Sequence, residues 1–290
     1  MSRRLATLLA WALTAPAAAG AQGLPFHTPS ALTTSFEEKG LRTFTTVRSA
    51  GNMRAWVTPV VLLPWAPRYD LTTTVAVPFL HKRMTGGGTA VTNAGVGDVT
   101  VGVKWAPFIR NRFAGTDRVA LILSSRIPTG ATDARSPDGS LLPRPMQTGS
   151  GSTGAGVTLV GTSIRDRWGL SAAVGRQWSR GDGEFQAGTL TRYDVALGLR
   201  FPGYVESLST RTLQLYLEWN GTVQDHNRLG GSSLASSGGH TAFLGPALQW
   251  VVLPRMLLEA SVQFPVITDL NGTQPDPGIR PALGLRYLFF

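Results

Sequence analysis

The sequence predicts an all-β chain: a transmembrane, antiparallel, up-and-down β-barrel of about twelve strands, preceded by a cleavable signal peptide. Three observations point there. The N-terminus has the charge and hydropathy profile of an export signal. From residue 41 onward, apolar and polar residues alternate in repeated segments bounded by Gly, Pro, Asn or Asp. The last such segment runs to an aromatic C-terminal residue, Phe290.

The signal is assigned to residues 1–21, with Arg3 and Arg4 as its positive start, Leu5 to Leu13 as its apolar stretch and Ala19-Gly20-Ala21 as its cleavage site. That stretch is far shorter than the ~20 residues a membrane-crossing helix needs. The segment Trp56 to Ala66 carries Pro59 and Pro64, which a helix interior does not tolerate. Without spanning helices, a chain resident in a membrane has to be a closed barrel, because lipid satisfies no free backbone N–H or C=O. Residues 22–40 are then a periplasmic lead-in, and residues 41–290 the barrel.

Composition agrees. The chain of 290 residues holds 34 Gly, 19 Pro and 8 Trp, which suits many strands, many turns and aromatic interface belts. It has no Cys, which excludes disulfide scaffolds, thiol nucleophiles and Cys-ligated metals. The net charge of +10 comes from cations spread singly, without the clustered basic patch that nucleic-acid binding needs.

Individual segments show the two faces. Leu213, Leu215, Leu217 and Trp219 oppose Gln214, Tyr216, Glu218 and Asn220. Tyr193, Val195, Leu197, Leu199 and Phe201 oppose Arg192, Asp194 and Arg200. Met256, Leu258, Ala260, Val262 and Phe264 oppose Arg255, Glu259, Ser261 and Gln263, and Val99, Val101, Val103 and Trp105 oppose Asp98, Thr100 and Lys104. A soluble sandwich also alternates. Here the polar faces are rich in charged and amide groups, while the apolar faces end in Trp105, Phe201, Trp219, Trp250 and Tyr287, as aromatic girdles require.

Links after even-numbered strands are short, as at Asp166-Arg167 and Leu253-Pro254. Those after odd-numbered strands are mostly long, at 82–96, 129–153, 179–188, 224–240 and 268–278. The short link 49–52 and the long link 107–117 depart from this rule. Short periplasmic turns and long outer loops place both termini in the periplasm. The final strand, ending at Phe290, resembles the signal that delivers outer-membrane barrels to their assembly machinery.

The stretch GVGDVTVGVKW at 95–105, followed by IPTG at 127–130, resembles the outer-membrane barrels grouped under the meta-pathway of phenol degradation, which are labelled transporters. Gly95, Gly97 and Asp98 match the opening of one strand, and Pro128, Thr129 and Gly130 match the end of its partner before a long Gly-rich loop. The resemblance implies passage of hydrophobic or aromatic compounds. The residues themselves read either as folding signals or as ligand contacts. Gly95 and Gly97 ease a kink, Asp98 faces inward to accept N–H bonds or pair with a cation, and Pro128 ends a ladder it cannot donate to.

Catalysis is the competing class. His27, His81, His226 and His240 read as solvated loop residues, and none has the strand-borne His-x-Ser arrangement of barrel phospholipases. Glu37-Glu38 and Asp276 read as a lead-in and a loop cap, and the glycines at 86–88 and 149–156 lack the Lys-Ser or Lys-Thr of a phosphate loop. No enzyme, cofactor or metal site is expected.

Function is expected in the lumen. Alternation assigns Asp98, Lys104, Arg126, Arg192, Asp194, Arg200, Gln214, Glu218, Glu259, Gln263, Arg280 and Arg286 to it. Both signs are present, so these side chains read as a cross-lumen network or, with cations leading, as the lining of an anion-favouring pore. The sequence therefore predicts a monomeric barrel in the Gram-negative outer membrane. It contacts lipid, the assembly machinery and a small-molecule solute, and passes that solute passively. The alternative is a structural or surface-interaction barrel with a blocked lumen and ligand-binding outer loops.

Overall fold

A computed structural model describes residues 25–33, 39–63, 65–86, 88–181, 185–202, 212–253 and 255–289. The predicted signal peptide at 1–21, the Glu37-Glu38 pair and the terminal Phe290 lie outside the described residues. None of the described helices is long and apolar enough to cross a membrane, a criterion that says nothing of strands.

The strands in chain order are β1 (Lys39–Ala50), β2 (Met53–Leu63), β3 (Leu71–Gly86), β4 (Thr89–Val96), β5 (Val99–Arg112), β6 (Gly115–Ile127), β7 (Ser152–Arg165) and β8 (Trp168–Gly181). They continue as β9 (Phe185–Gln186), β10 (Leu190–Phe201), β11 (Leu213–Gln224), β12 (Arg228–Leu229), β13 (Ser232–Ser233), β14 (Gly239–Leu253), β15 (Met256–Leu270) and β16 (Arg280–Phe289). The short β9, β12 and β13 form a separate three-stranded patch among the loops. The other thirteen make one antiparallel sheet. In it β1 pairs with both β2 and β16, and the β2–β3 pairing closes the ring. Because β4 and β5 pair successively with the upper and lower halves of β3, they form one broken stave, and the ring has twelve.

Closure gives each stave two paired neighbours, except along the β4 half of the broken stave, which pairs only with β3, so the ladders of the ring are satisfied without water. Alternation then points one face of each stave outward. Leu217 is 51% and Leu283 70% exposed, as side chains facing lipid should be. Two aromatic belts flank this band. Trp65, Tyr69, Trp105, Phe108, Phe113, Trp168, Phe201, Trp250 and Phe289 lie exposed near the end where β1 begins and β16 ends, and Phe79, Trp178 and Phe264 lie exposed towards the other.

Two expected links are corrected. Residues 82–96 are not a loop: β3 and β4 continue as a hairpin, with Lys82 opposite Asn93 and Arg83 opposite Thr92. Polar residues on both faces erase the alternation there, yet the backbone ladder persists. Likewise β5 runs to Arg112 and turns through Phe113 and Ala114 into β6. The bulge after Trp105, at Pro107, breaks the periodic pattern while pairing resumes at Phe108. The long inner link is thus a tight turn, as short inner turns require, whereas the outer link between β3 and β4 shrinks to the turn between Gly86 and Thr89 and departs from the rule of long outer loops.

Candidate functional site

The lumen contains a strap of the protein's own chain. Residues 25–33, assigned from sequence to a lead-in ahead of the barrel, lie inside the ring, with Phe26 2%, Ala31 0% and Leu32 5% exposed. The strap is held by side chains of the staves. The carboxylate of Glu218, on β11, accepts the backbone N–H groups of Phe26 (2.6 Å), His27 (2.9 Å) and Thr28 (2.8 Å). Successive N–H groups converging on one anion form a backbone nest, here occupied by the protein's own carboxylate. Further along, Thr162 Oγ1 accepts from Ala31 N at 2.9 Å, Lys104 Nζ donates to Leu32 O at 2.9 Å, and Arg118 donates to Thr33 Oγ1 at 3.1 Å.

Packing adds to these bonds. Phe26 sits against Phe44, Ala247, Ala282 and Tyr216. On the opposite wall, Ala31 enters a cluster of Ala106, Ala120, Val160 and Ala173, whose small side chains make room for a strand of chain inside the ring.

Beneath Phe26 lies a charge network. Arg42, on β1, donates to both oxygens of Glu259 (2.7 and 3.1 Å) and to Phe26 O (2.8 Å). Glu259 also accepts from Gln249 Nε2 at 3.0 Å and lies 3.5 Å from the Arg286 guanidinium. Two cations thus share one fully buried carboxylate. A bidentate arginine fork and the added bonds are what make such a burial tolerable. Sequence reasoning missed Arg42, because β1 alternates weakly and its inner face mixes Arg42, Phe44, Thr46 and Arg48.

The remaining predicted residues also face inward. Asp194 accepts from Asn220 Nδ2 (2.8 Å) and lies 3.6 Å from Arg192. Gln263 Nε2 donates to Asn220 Oδ1 at 2.6 Å, and Asn220 reaches Thr28 Oγ1 at 3.1 Å. Gln214 accepts from the Tyr216 hydroxyl at 2.7 Å, with Arg200 opposite it on β10. Arg126 donates to Ser179 Oγ at 2.7 Å, and the Arg280 guanidinium carbon lies over Phe243, 3.5 Å from the ring centroid.

The motif residues form a second constriction. Thr129 spans the break between β4 and β5: its Oγ1 accepts from Val99 N (3.0 Å) and donates to Gly97 O (3.1 Å). Asp98 accepts from Gly130 N (3.1 Å), from Ser150 N (3.0 Å) and from the Ser150 hydroxyl, and lies 3.9 Å from Arg126. Together they tie both ends of the loop 128–151 to the broken stave. Gly97 and Gly130 are needed for close approach rather than for unusual backbone angles. A Cβ on Gly130 would lie 2.5 Å from Gly149 Cα, and one on Gly97 would lie 3.1 Å from Thr148 O. The loop folds inward, with Met146 0% exposed, and Lys82 Nζ donates to Pro145 O (2.8 Å) and Gln147 O (2.6 Å). At its exposed tip, the Asp138 carboxyl is held below the usual range by the Ser140 hydroxyl and backbone N–H.

The histidines need correcting. His226 is an exposed loop residue whose Nδ1 lies 3.1 Å from Leu234 O. His81 is on β3, paired with Trp56, and His240 is on β14, with Nε2 2.5 Å from the Tyr193 hydroxyl. His27 lies in the strap, with Nε2 3.2 Å from Ser261 Oγ. Ser261 donates to Pro246 O at 3.2 Å, and no carboxylate among the described residues bonds to the His27 ring, so the triad geometry of an activated serine is not assembled there. Among the described residues, no cluster of three metal-ligating side chains occurs.

A closed ring with a lipid-facing apolar band, a polar interior and an internal strap defines a transmembrane β-barrel. Residues 42–269 match the family described as "Putative MetA-pathway of phenol degradation", and the chain belongs to that family. Its fold is similar to that of an outer membrane channel from Pseudomonas putida F1, with a TM-score of 0.71 at 12% identity over 92% of this chain and 100% of that one. Weaker similarity extends to the beta domain of the Bordetella autotransporter BrkA (TM-score 0.49, 15% identity, 87% and 99% covered). The NanC porin is also similar (TM-score 0.47, 11% identity, 85% and 98% covered). No curated protein matches the sequence.

Proposed function

We propose that the protein is a passive channel of the Gram-negative outer membrane for small molecules, in which residues 25–33 and the loop 128–151 constrict the path. The observation that carries this reading is how the strap is held. It hydrogen-bonds to side chains, Glu218 above all, and adds no strand to the ladder. A segment bound this way can leave without unzipping the barrel. A permanent seal would be expected to share backbone pairing with the wall.

Tight turns at Phe113-Ala114 and Asp166-Arg167, on the end where β1 begins and β16 ends, support a periplasmic location for that end. We further propose that the chain is a monomer, delivered by the barrel-assembly machinery through its last strand. The family's name supports aromatic compounds as solutes.

Planar-bilayer recording of the refolded protein tests the channel reading. Discrete conductance steps are the expected result. A correctly folded, inserted barrel that stays silent under all voltages would overturn it and favour a surface-interaction role for the outer loops.

A further inference from the structure

Between the strap and the inward loop, the lumen holds three guanidinium groups with little to neutralise them. Arg48, on β1, and Arg280, on β16, sit side by side, two residues beyond the paired step of Thr46 with Ala282. Arg192, on β10, faces them from across the ring and is close enough to repel both. Among the described residues, neither Arg48 nor Arg280 forms an ion pair. Arg192 has only Asp194, at 3.6 Å, and that carboxylate already accepts from Asn220. Among the described residues, these three positive charges thus have one carboxylate within ion-pair distance. Low-dielectric walls focus such a field, and the cheapest relief is an anion from solution.

Geometry adds a direction. The Arg280 guanidinium carbon lies 3.5 Å from the Phe243 ring centroid, which anchors the group against the wall, and a guanidinium fork so held suits a planar, two-oxygen anion. The wall next to Arg48 is of the opposite kind. Cross-strand pairs Val57–Leu80, Pro59–Pro78 and Val61–Ala76 line the inner faces of β2 and β3, in the same register and facing as Lys82 and Ala55. Phe26 of the strap closes the floor.

We propose that this chamber binds small organic anions with an apolar body, arylcarboxylates in particular, with Arg48 and Arg280 taking the carboxylate and the β2–β3 wall taking the ring. The proposal rests on the lumen being a solute path and adds the class of solute.

Calorimetric titration of the folded protein with benzoate tests it, with acetate as charge without body and phenol as body without charge. Benzoate is expected to bind at least tenfold more tightly than either. The double variant Arg48→Gln/Arg280→Gln should weaken benzoate at least tenfold and leave phenol unchanged. Neutralising mutually repelling groups removes strain, and heat-dependent gel mobility verifies that the variant barrel is folded. Single Arg48→Gln, with a smaller loss in the same direction, serves if the double variant misfolds. Equal benzoate binding by wild type and a folded variant overturns the proposal, as does acetate binding as tightly as benzoate. Bilayer recording separates the two readings. Conductance without benzoate binding refutes the chamber and keeps the channel, whereas arginine-dependent binding in a silent barrel keeps the chamber and refutes transport.

Discussion

The carboxylate of Glu218 accepts the backbone N–H of Phe26 at 2.6 Å across 192 positions of sequence, and this contact fastens the N-terminal strap to the barrel wall. The same carboxylate takes the next two N–H groups, so one side chain on β11 serves as the main latch. Its placement makes the latch separable from the fold, because Glu218 neutralises no arginine of the wall in any of the ion pairs among the described residues.

Glu218→Ala should therefore free the strap and spare the barrel. Hydrogen bonds to charged groups are each worth about 1.5–3 kcal/mol. Losing even one such increment shifts the balance between seated and released strap by roughly tenfold to a hundredfold. Single-channel recording should show higher conductance or longer open times, with heat-dependent gel mobility unchanged. Identical conductance in a folded variant would show that Glu218 does not hold the gate.

The Glu259 network carries stability, not gating. Glu259→Gln leaves Arg42 and Arg286 facing each other with no carboxylate between them, in a position where Arg286 is buried. Removing one partner of a buried ion pair costs about 3–5 kcal/mol. Urea titration in detergent, followed by tryptophan fluorescence, should show the midpoint fall well below that of wild type.

Gly130→Ala addresses the inward loop. The added methyl would overlap Gly149, whose backbone is fixed by its own bond from Gly149 N to Ala131 O at 2.8 Å. The loop ends must separate, which also strains the bonds from Asp98. Limited proteolysis is expected to cut the segment 131–148 faster than in wild type by an order of magnitude, with the strands protected. Unchanged cleavage would mean the two glycines have room to spare.

Leu217→Lys and Asn220→Lys should differ sharply although they lie three residues apart on β11. Leu217 faces lipid and is 51% exposed, whereas Asn220 faces the lumen. A cation at the bilayer midplane costs roughly 2–4 kcal/mol on the lipid face, and less where it is wet or paired. The assembled fraction, measured by heat-dependent mobility of membranes, should drop for Leu217→Lys and drop far less for Asn220→Lys. The reverse order would place the wrong face of β11 in lipid.

Much of this architecture was legible in the chain. Glu218, Glu259, Gln263 and Arg286 were assigned inward because their neighbours at every second position were apolar, and the barrel places them inward. Asp98 was expected to accept N–H bonds or pair with a lumen cation, and it does both. Arg42 escaped because its strand carries Thr on the lipid side and Phe on the lumen side, which blurs the period. The hairpin of β3 and β4 escaped because, beyond the lipid band, nothing demands an apolar face.

Alternation by itself determined the class of fold and the sidedness of the staves, because a period of two is a local property that lipid on one side enforces. What fills the ring was settled only in three dimensions. The strap, its Glu218 latch, the arginines left unpaired and the loop pinned by Asp98 join residues tens to hundreds of positions apart. Such bonds depend on which groups face each other across a closed cylinder, and no run of neighbouring residues records that.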